Sequence, residues 1–173
     1  TGTNGKSSVA DFVRQLWTLA GIPAASLGTL GLKTPSGTFT TNLTTPDSAL
    51  LHYKLRKLAK DKIKHLTLEA SSHGLAQYRL DGVQVSIAAF TNLSRDHLDY
   101  HTDMDDYAQA KARLFDKAHF PTLTHAIINL DDEYILYSLF LYLSKFLVSI
   151  PPRGNGNTLL FVESILRLTK IAK

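Results

Sequence analysis

The stretch Thr1-Gly2-Thr3-Asn4-Gly5-Lys6-Ser7-Ser8 decides the fold, because it joins a glycine-rich loop to the start of a helix. Glycines let backbone N–H groups approach phosphate oxygens closely, and a helix N-terminus adds partial positive charge. Lys6 is placed to reach the β- and γ-phosphates of a nucleotide, and the Ser7 hydroxyl is placed to hold Mg²⁺. Residues 1–8 therefore predict a phosphate-binding loop, called the phosphate loop below.

The same residues also have a plainer interpretation, a glycine-rich turn before an ordinary helix. Gly-Lys-Ser is short enough to arise by chance. The complete pattern needs a glycine five positions before Gly5, which would lie before residue 1, as would the strand that normally leads into such a loop. From the loop alone, both interpretations stay open.

Outward from the loop, helical and strand patterns alternate along the chain. Helices are predicted by apolar residues at helical spacing, and strands by short apolar runs between turn residues. We expect an α/β fold: a mostly parallel P-loop-type sheet flanked by helices, with a small antiparallel hairpin. The predicted helices are Ser7–Leu19, Pro46–Lys60 and Asp103–Phe115; the predicted strands are Ala24–Gly28, His65–Glu69, Val85–Phe90 and Ala126–Leu130, and the hairpin is Gly31–Thr41.

Composition is that of a folded domain with a mild positive charge. The 173 residues are 44% hydrophobic and 20% charged, with a net charge of +4 and no cysteine. We expect no nucleic-acid partner, no thiolate metal site and a reducing compartment. The basic run Lys54–Lys64 is interpreted as a solvated helix face. Tyr134–Ile150 is apolar, but it contains Lys145 and is shorter than the roughly 20 residues of a membrane span, so we expect no membrane segment.

The loop Gly2-Thr3-Asn4-Gly5-Lys6 is more restrictive than the general pattern. It is similar to the loop of the Mur ligases and of their relatives, the folylpolyglutamate and cyanophycin synthetases. Further segments resemble the central ATP-binding domain of the Mur ligases that make muramyl tripeptides, in the expected order. These segments are Thr44–Asp47, Glu69–Leu75 with Gln77 and Arg79, Phe90–His101, the set Tyr107, Ala110, Lys111, Leu114 and Phe115, and Ile128–Glu133.

The resemblance implies roles for particular residues. Lys6, Glu69, His97 and a carbamylated Lys111 would be catalytic, with CO₂ supplying the carbamate. Mg²⁺ would be held by Ser7, Glu69, His97 and Lys111. ATP would be bound by Gly2, Thr3, Asn4, Gly5, Lys6, Ser7 and Ser8. The uridine-nucleotide substrate would contact Thr44, Thr45, Ser71, Gln77 and Arg79.

The residues alone leave other interpretations open. Glu69 can be a solvated strand end, Arg79 a surface cation, and Lys111 an exposed lysine on a helix. His97 and His101 have a spacing that suits zinc on a helix, but no third ligand is obvious. His101 is otherwise expected to be structural, and His73 to orient its own loop.

The reaction implied is ADP-forming ligation in peptidoglycan synthesis. The terminal carboxylate of UDP-MurNAc-L-Ala-D-Glu attacks the γ-phosphate of ATP, and an amino acid then displaces phosphate from the acyl phosphate. Lys6 and Mg²⁺ would let these two anions approach each other. The alternatives are an inactive nucleotide-binding fragment or a folylpolyglutamate synthetase-like ligase.

The resemblance also implies a domain organisation. Residues 1–134 form the central domain without its first strand, and residues 135–173 form a divergent or truncated remainder. The uridine-binding N-terminal domain and the amino-acid-binding C-terminal domain of the family are not recognised in these residues. We therefore expect the isolated chain to be a cytoplasmic bacterial monomer that makes no ligation product by itself.

Overall fold

The computed structural model describes residues 1–129 and Asp132. Its elements alternate between helix and strand, as predicted. The helices are α1 (Lys6–Leu19), α2 (Ser48–Lys60), α3 (Ser72–Ala76) and α4 (Met104–Ala112), with a 3₁₀ turn at Arg113–Phe115. The strands are β1 (Ala24–Gly28), β2 (Gly31–Thr34), β3 (Gly37–Phe39), β4 (His65–Leu68), β5 (Ile87–Phe90) and β6 (His125–Ile128).

Two sheets organise the described residues, and their strand directions only partly match the predicted mostly parallel sheet. The first has the order β3-β2-β1-β4, and the second pairs β5 with β6. The pairs β1–β4 and β5–β6 are parallel, whereas β1–β2 and β2–β3 are antiparallel. Only Thr29 and Leu30 connect β1 to β2, which is too short for the crossover that a parallel pair needs.

Local sequence signals fix where the later helices begin. The Asp47 carboxylate accepts from the backbone N–H of Leu50 at 2.9 Å, and Asp103 accepts from Asp106 at 2.8 Å. These side chains satisfy N–H groups that the first turn of a helix leaves unpaired. In α2, apolar residues at helical spacing face the core: Leu51 and Leu58 are buried, and Leu55 packs against it.

Two predicted apolar segments differ from expectation. Helix α1 forms, but two of its apolar residues, Phe12 and Leu19, are 61% and 84% exposed, and Ala10 is its buried residue. An apolar run such as Val85–Phe90 is typical of a strand that is covered on both faces. Its strand is shorter, and its burial alternates, with Ala88 and Phe90 buried and Ile87 exposed.

The core lies between the sheets and helices α2, α3 and α4. Its members include Leu27, Leu51, Leu75, Phe90 and Phe115. Within the part of the chain that the structure describes, no helix combines the length and apolarity needed to cross a bilayer. The apolar run Tyr134–Ile150 and the remainder to residue 173 lie outside the described residues.

Candidate functional site

The phosphate loop lies against the end of β5 and leads directly into α1. Thr3 donates its backbone N–H to the Asn92 carbonyl at 2.8 Å, and Asn4 donates to the Asn92 side-chain oxygen at 2.8 Å. Gly5 has a φ of 80°, the left-handed region that glycine enters without strain. No side chain caps α1. Because the first N–H groups of a helix have no partner within it, this end of α1 is suited to an anion.

Two lysine amines meet at one carbonyl of the loop. Lys6 Nζ donates to the Gly2 carbonyl at 2.9 Å and to the Thr3 carbonyl at 2.6 Å. Lys111 Nζ, from α4, donates to the same Gly2 carbonyl at 2.8 Å. Gly2 thus contributes its backbone oxygen, which accepts a hydrogen bond from both amines beside the phosphate loop.

Lys111 is not the exposed helical lysine of the plainer interpretation. It is 1% exposed, and its Nζ lies 4.2 Å from the centre of the Tyr107 ring. Burial, together with the positive charge of the neighbouring Lys6, lowers the pKa of Lys111 to about 7. Burial also lowers the pKa of Lys6. A substantial fraction of Lys111 is therefore a neutral amine near pH 7.

Glu69 is buried rather than solvated, so the plainer interpretation of this residue is also wrong. It is 4% exposed and stands directly after β4. Ser7 Oγ donates to Oε2 at 2.9 Å, and the Thr29 backbone N–H donates to Oε1 at 3.0 Å. Gly28 makes room for the carboxylate, since a Cβ there would lie 1.9 Å from Oε1. This carboxylate is thereby fixed beside the first turn of α1.

Four of the predicted substrate residues are joined by hydrogen bonds: Thr45, Ser71, Gln77 and Arg79. Arg79 donates from Nη1 to the Thr45 carbonyl at 2.8 Å and from Nε to Gln77 Oε1 at 3.0 Å. Gln77 is exposed and holds the guanidinium. Thr44 Oγ1 lies 2.9 Å from Thr29 Oγ1. Arg79 is thus oriented by its neighbours, unlike a free surface cation.

The Thr45 hydroxyl, in contrast, has no capacity left for another partner. It donates to the Glu69 carbonyl at 2.8 Å and accepts from both Ser71 N and Ser71 Oγ at 3.0 Å. A hydroxyl offers one hydrogen and two lone pairs, all of which are used. Thr45 is 1% exposed, so in this arrangement its side chain joins the two loops instead of facing a ligand.

His97 and His101 have different surroundings, since His97 is half-buried and His101 is buried. His97 has a φ of 52°, and its ring centre lies 5.1 Å from that of His73. His101 is 3% exposed, with Nδ1 3.2 Å from the Asp106 carboxylate. Among residues 1–129 and Asp132, no group of three or more histidine and carboxylate side chains is arranged to hold a metal. The zinc interpretation therefore lacks a third ligand here as well.

One cleft of about 550 Å³ collects these residues. It includes every predicted site residue except Gly2 and Gln77, although they are separated by up to about a hundred positions in sequence. It also includes Thr29, Leu43, Ser72 and His73, which were not assigned as ligand-binding residues. Thr29 had a usable signal, because it follows the carboxyl end of β1, the edge at which ligands bind in parallel sheets.

A glycine-rich loop opening a helix at the edge of an α/β sheet, with a carboxylate and a buried lysine in one cleft, defines a P-loop-type α/β domain. More narrowly, the chain belongs to the Mur ligase family. The family model described as the Mur ligase middle domain matches residues 1–145.

Curated relatives and solved structures agree with this assignment. UDP-N-acetylmuramoyl-L-alanyl-D-glutamate–2,6-diaminopimelate ligase of Brucella melitensis is 52% identical over 134 residues, which are 78% of this chain and 27% of that protein. The same-named protein of Agrobacterium fabrum is 56% identical over 116 residues, or 67% of this chain and 24% of that one. The chain thus spans about a quarter of these relatives' length.

Two solved structures are similar in fold. A structure of UDP-N-acetylmuramoyl-L-alanyl-D-glutamate–2,6-diaminopimelate ligase is 39% identical with a TM-score of 0.74, covering 85% of this chain and 30% of that one. Folylpolyglutamate synthase of Mycobacterium tuberculosis is 18% identical with a TM-score of 0.60, covering 86% and 41%. At that identity, the second match supports the fold alone.

Proposed function

We propose that the chain is the nucleotide- and metal-binding core of an ADP-forming ligase that adds the third amino acid to UDP-MurNAc-L-Ala-D-Glu. The names of the relatives favour 2,6-diaminopimelate as that amino acid. The observation that carries the proposal is the 2.9 Å bond between Ser7 Oγ and Glu69 in a cleft shared with Lys6 and Lys111. We further propose that the whole protein acts in the bacterial cytoplasm.

ATP would bind with its phosphates against the loop and the start of α1. The free N–H groups at this end of α1 favour an anion. In the structure, Lys6 donates to the Gly2 and Thr3 carbonyls. A phosphate oxygen is a stronger partner for an ammonium group than a neutral carbonyl. Lys6 is therefore expected to transfer its hydrogen bonds from the loop to the nucleotide.

The residues at the start of α1 also fit Mg²⁺. Ser7 and Glu69 bring a hydroxyl and a carboxylate oxygen together, and Mg²⁺ favours one or two carboxylates together with phosphate oxygens and water. Ser7 and Glu69 would hold the ion, and His97 lines the same cleft. When bound, the metal would neutralise negative charge between the phosphates and the attacking carboxylate.

Lys111 meets the chemical requirement for carbamylation by CO₂. Only a neutral amine reacts with CO₂, and burial together with Lys6 favours that form of Lys111. As a carbamate it would be an anion able to hold a second Mg²⁺. As an ammonium it would add a further positive charge beside the Gly2 carbonyl.

Arg79, which lines the same cleft, would orient the acidic substrate. Its guanidinium is held by Gln77 and by the Thr45 carbonyl, so little flexibility is lost when it binds a carboxylate or phosphate. Thr44 and Ser71 line the cleft beside it. The dipeptide carboxylate would approach the γ-phosphate from this side, displacing ADP as the acyl phosphate forms. Amide formation then follows when the incoming amine displaces phosphate.

A graft into a relative tests the proposal. The part of this chain that matches the Brucella melitensis ligase, 134 residues at 52% identity, would replace its counterpart in that ligase. We expect ADP release that depends on UDP-MurNAc-L-Ala-D-Glu and diaminopimelate, and its loss in a matched graft carrying Lys6→Ala. The isolated chain is expected to bind nucleotide and make no tripeptide product. A folded graft without ligation, or ligation unaffected by Lys6→Ala, would refute the proposal.

A further inference from the structure

Thr3 lies in the middle of the phosphate loop, but its side chain points into the protein. It is 7% exposed. Its hydroxyl lies 3.2 Å from the Ser94 carbonyl, 3.0 Å from the Ser94 backbone nitrogen and 3.2 Å from the phenol of Tyr107. These three contacts join the loop to the segment after β5 and to helix α4.

The directions of these bonds follow from what each partner can do. A carbonyl only accepts and a backbone N–H only donates, so the single Thr3 hydrogen goes to the Ser94 carbonyl. The remaining Thr3 lone pair must then accept from Tyr107. The phenol of Tyr107 carries one hydrogen and can donate it in this bond.

Tyr107 contacts the candidate site on several sides. It is fully buried, and Lys111 Nζ lies 4.2 Å from its ring centre. The His97 ring centre lies 6.0 Å away. A single rigid side chain therefore contacts the loop, the buried lysine and the predicted metal-site histidine.

We propose that Tyr107 is a positioning residue whose phenol, through Thr3, holds the phosphate loop at its distance from Lys111 and His97. This inference rests on the proposed function, because it assigns Tyr107 to nucleotide binding without contact with the nucleotide. Among the residues that the structure describes, Thr3 is the hydrogen-bond partner of the Tyr107 phenol, and the buried ring keeps its packing in phenylalanine. Tyr107→Phe therefore isolates the hydrogen bond from the packing.

The test measures ADP dissociation constants by titration calorimetry for the full chain. Tyr107→Phe is expected to weaken ADP binding roughly three- to tenfold, the scale of one buried hydrogen bond. Tyr53→Phe is the matched control, because Tyr53 is 67% exposed on α2, and it should bind as the wild type does. In a Thr3→Val background, which has already lost the partner hydroxyl, Tyr107→Phe should change the constant less than about twofold.

Thermal unfolding of each variant separates positioning from general stability. Equal ADP affinity of wild type and Tyr107→Phe would overturn this inference alone, as would the same loss in the Thr3→Val background. The inference would also be overturned if the loss of ADP affinity in Tyr107→Phe disappeared when the assay was cooled well below the unfolding midpoint. Such a loss would come from unfolded protein and not from a displaced loop. Absence of ADP binding by the wild type would instead overturn the proposed function, and this inference with it.

Discussion

The substitution Gly28→Ala tests whether the fixed position of the Glu69 carboxylate contributes to stability and to magnesium-dependent nucleotide binding. Gly28 itself would touch no ligand. The new Cβ would lie 1.9 Å from Oε1, 2.3 Å from Cδ and 2.5 Å from Cγ of Glu69. Ordinary contact begins near 3.4 Å, so the carboxylate must retreat by about 1.5 Å. Its bonds from Ser7 and the Thr29 N–H, at 2.9 and 3.0 Å, cannot survive that displacement.

The expected cost follows from those two bonds. Hydrogen bonds to a charged group contribute about 1.5–3 kcal/mol each, and partial relaxation recovers some of that, so the free energy of unfolding should fall by about 3 kcal/mol. Magnesium-dependent affinity for an ATP analogue should fall roughly tenfold, because the metal loses a preplaced oxygen. Urea unfolding and calorimetric titration with and without Mg²⁺ measure the two quantities.

A double-mutant cycle assigns the effect to Glu69. The three atoms nearest the new Cβ all belong to that side chain, so Gly28→Ala should cost little in a Glu69→Ala background. The reasoning is wrong if Gly28→Ala destabilises both backgrounds equally. It is also wrong if the single variant keeps wild-type affinity in the presence of Mg²⁺.

Three further outcomes are expected. Lys6→Ala should weaken binding of an ATP analogue at least roughly tenfold, with a smaller effect on AMP, because its charge would act on the β- and γ-phosphates; equal losses for both nucleotides would contradict this. Arg79→Lys should weaken binding of UDP-MurNAc-L-Ala-D-Glu, since lysine lacks the planar fork that Gln77 and the Thr45 carbonyl hold, while ADP affinity stays unchanged. In CO₂-free buffer, the free energy of unfolding of the wild type should rise relative to that of Lys111→Met as the pH increases from about 7 toward 10.5. Over that window Lys111 keeps its proton in the unfolded chain but releases it in the folded chain, so a higher pH favours the folded state. Parallel curves for the two proteins in urea unfolding would show that Lys111 titrates normally.

The loop and the helices that frame the cleft could be read from the sequence because their signals are local. Asp47 and Asp103 mark helix starts, and Gly5 before Lys6 marks the loop. The gathering of Glu69 and Lys111 at the loop was predicted only through the family resemblance. No periodicity in α4 indicates that Lys111 is 1% exposed.

The rest depends on tertiary packing, which local patterns do not encode. Strand β2 pairs antiparallel with β1 because only two residues connect them. The sequence predicted a hairpin at Gly31–Thr41 but did not show that its first strand would join the same sheet as β1. The short helix α3 includes His73, which was expected to lie in a loop. Glycine is unfavourable inside a helix, but here the Ser71 hydroxyl accepts from the Gly74 N–H and stabilises the first turn. Thr45 looked like a ligand-binding hydroxyl, but its three hydrogen-bond positions are filled by Glu69 and Ser71.

The most direct measurement is a crystal structure of the chain with a non-hydrolysable ATP analogue and Mg²⁺. The account predicts phosphates against the loop amides, Lys6 moved from the Gly2 carbonyl to the phosphates, and the metal on Ser7 and Glu69. A nucleotide bound outside this cleft, or one bound within it with Glu69 still accepting from Ser7 and no metal between them, would contradict it.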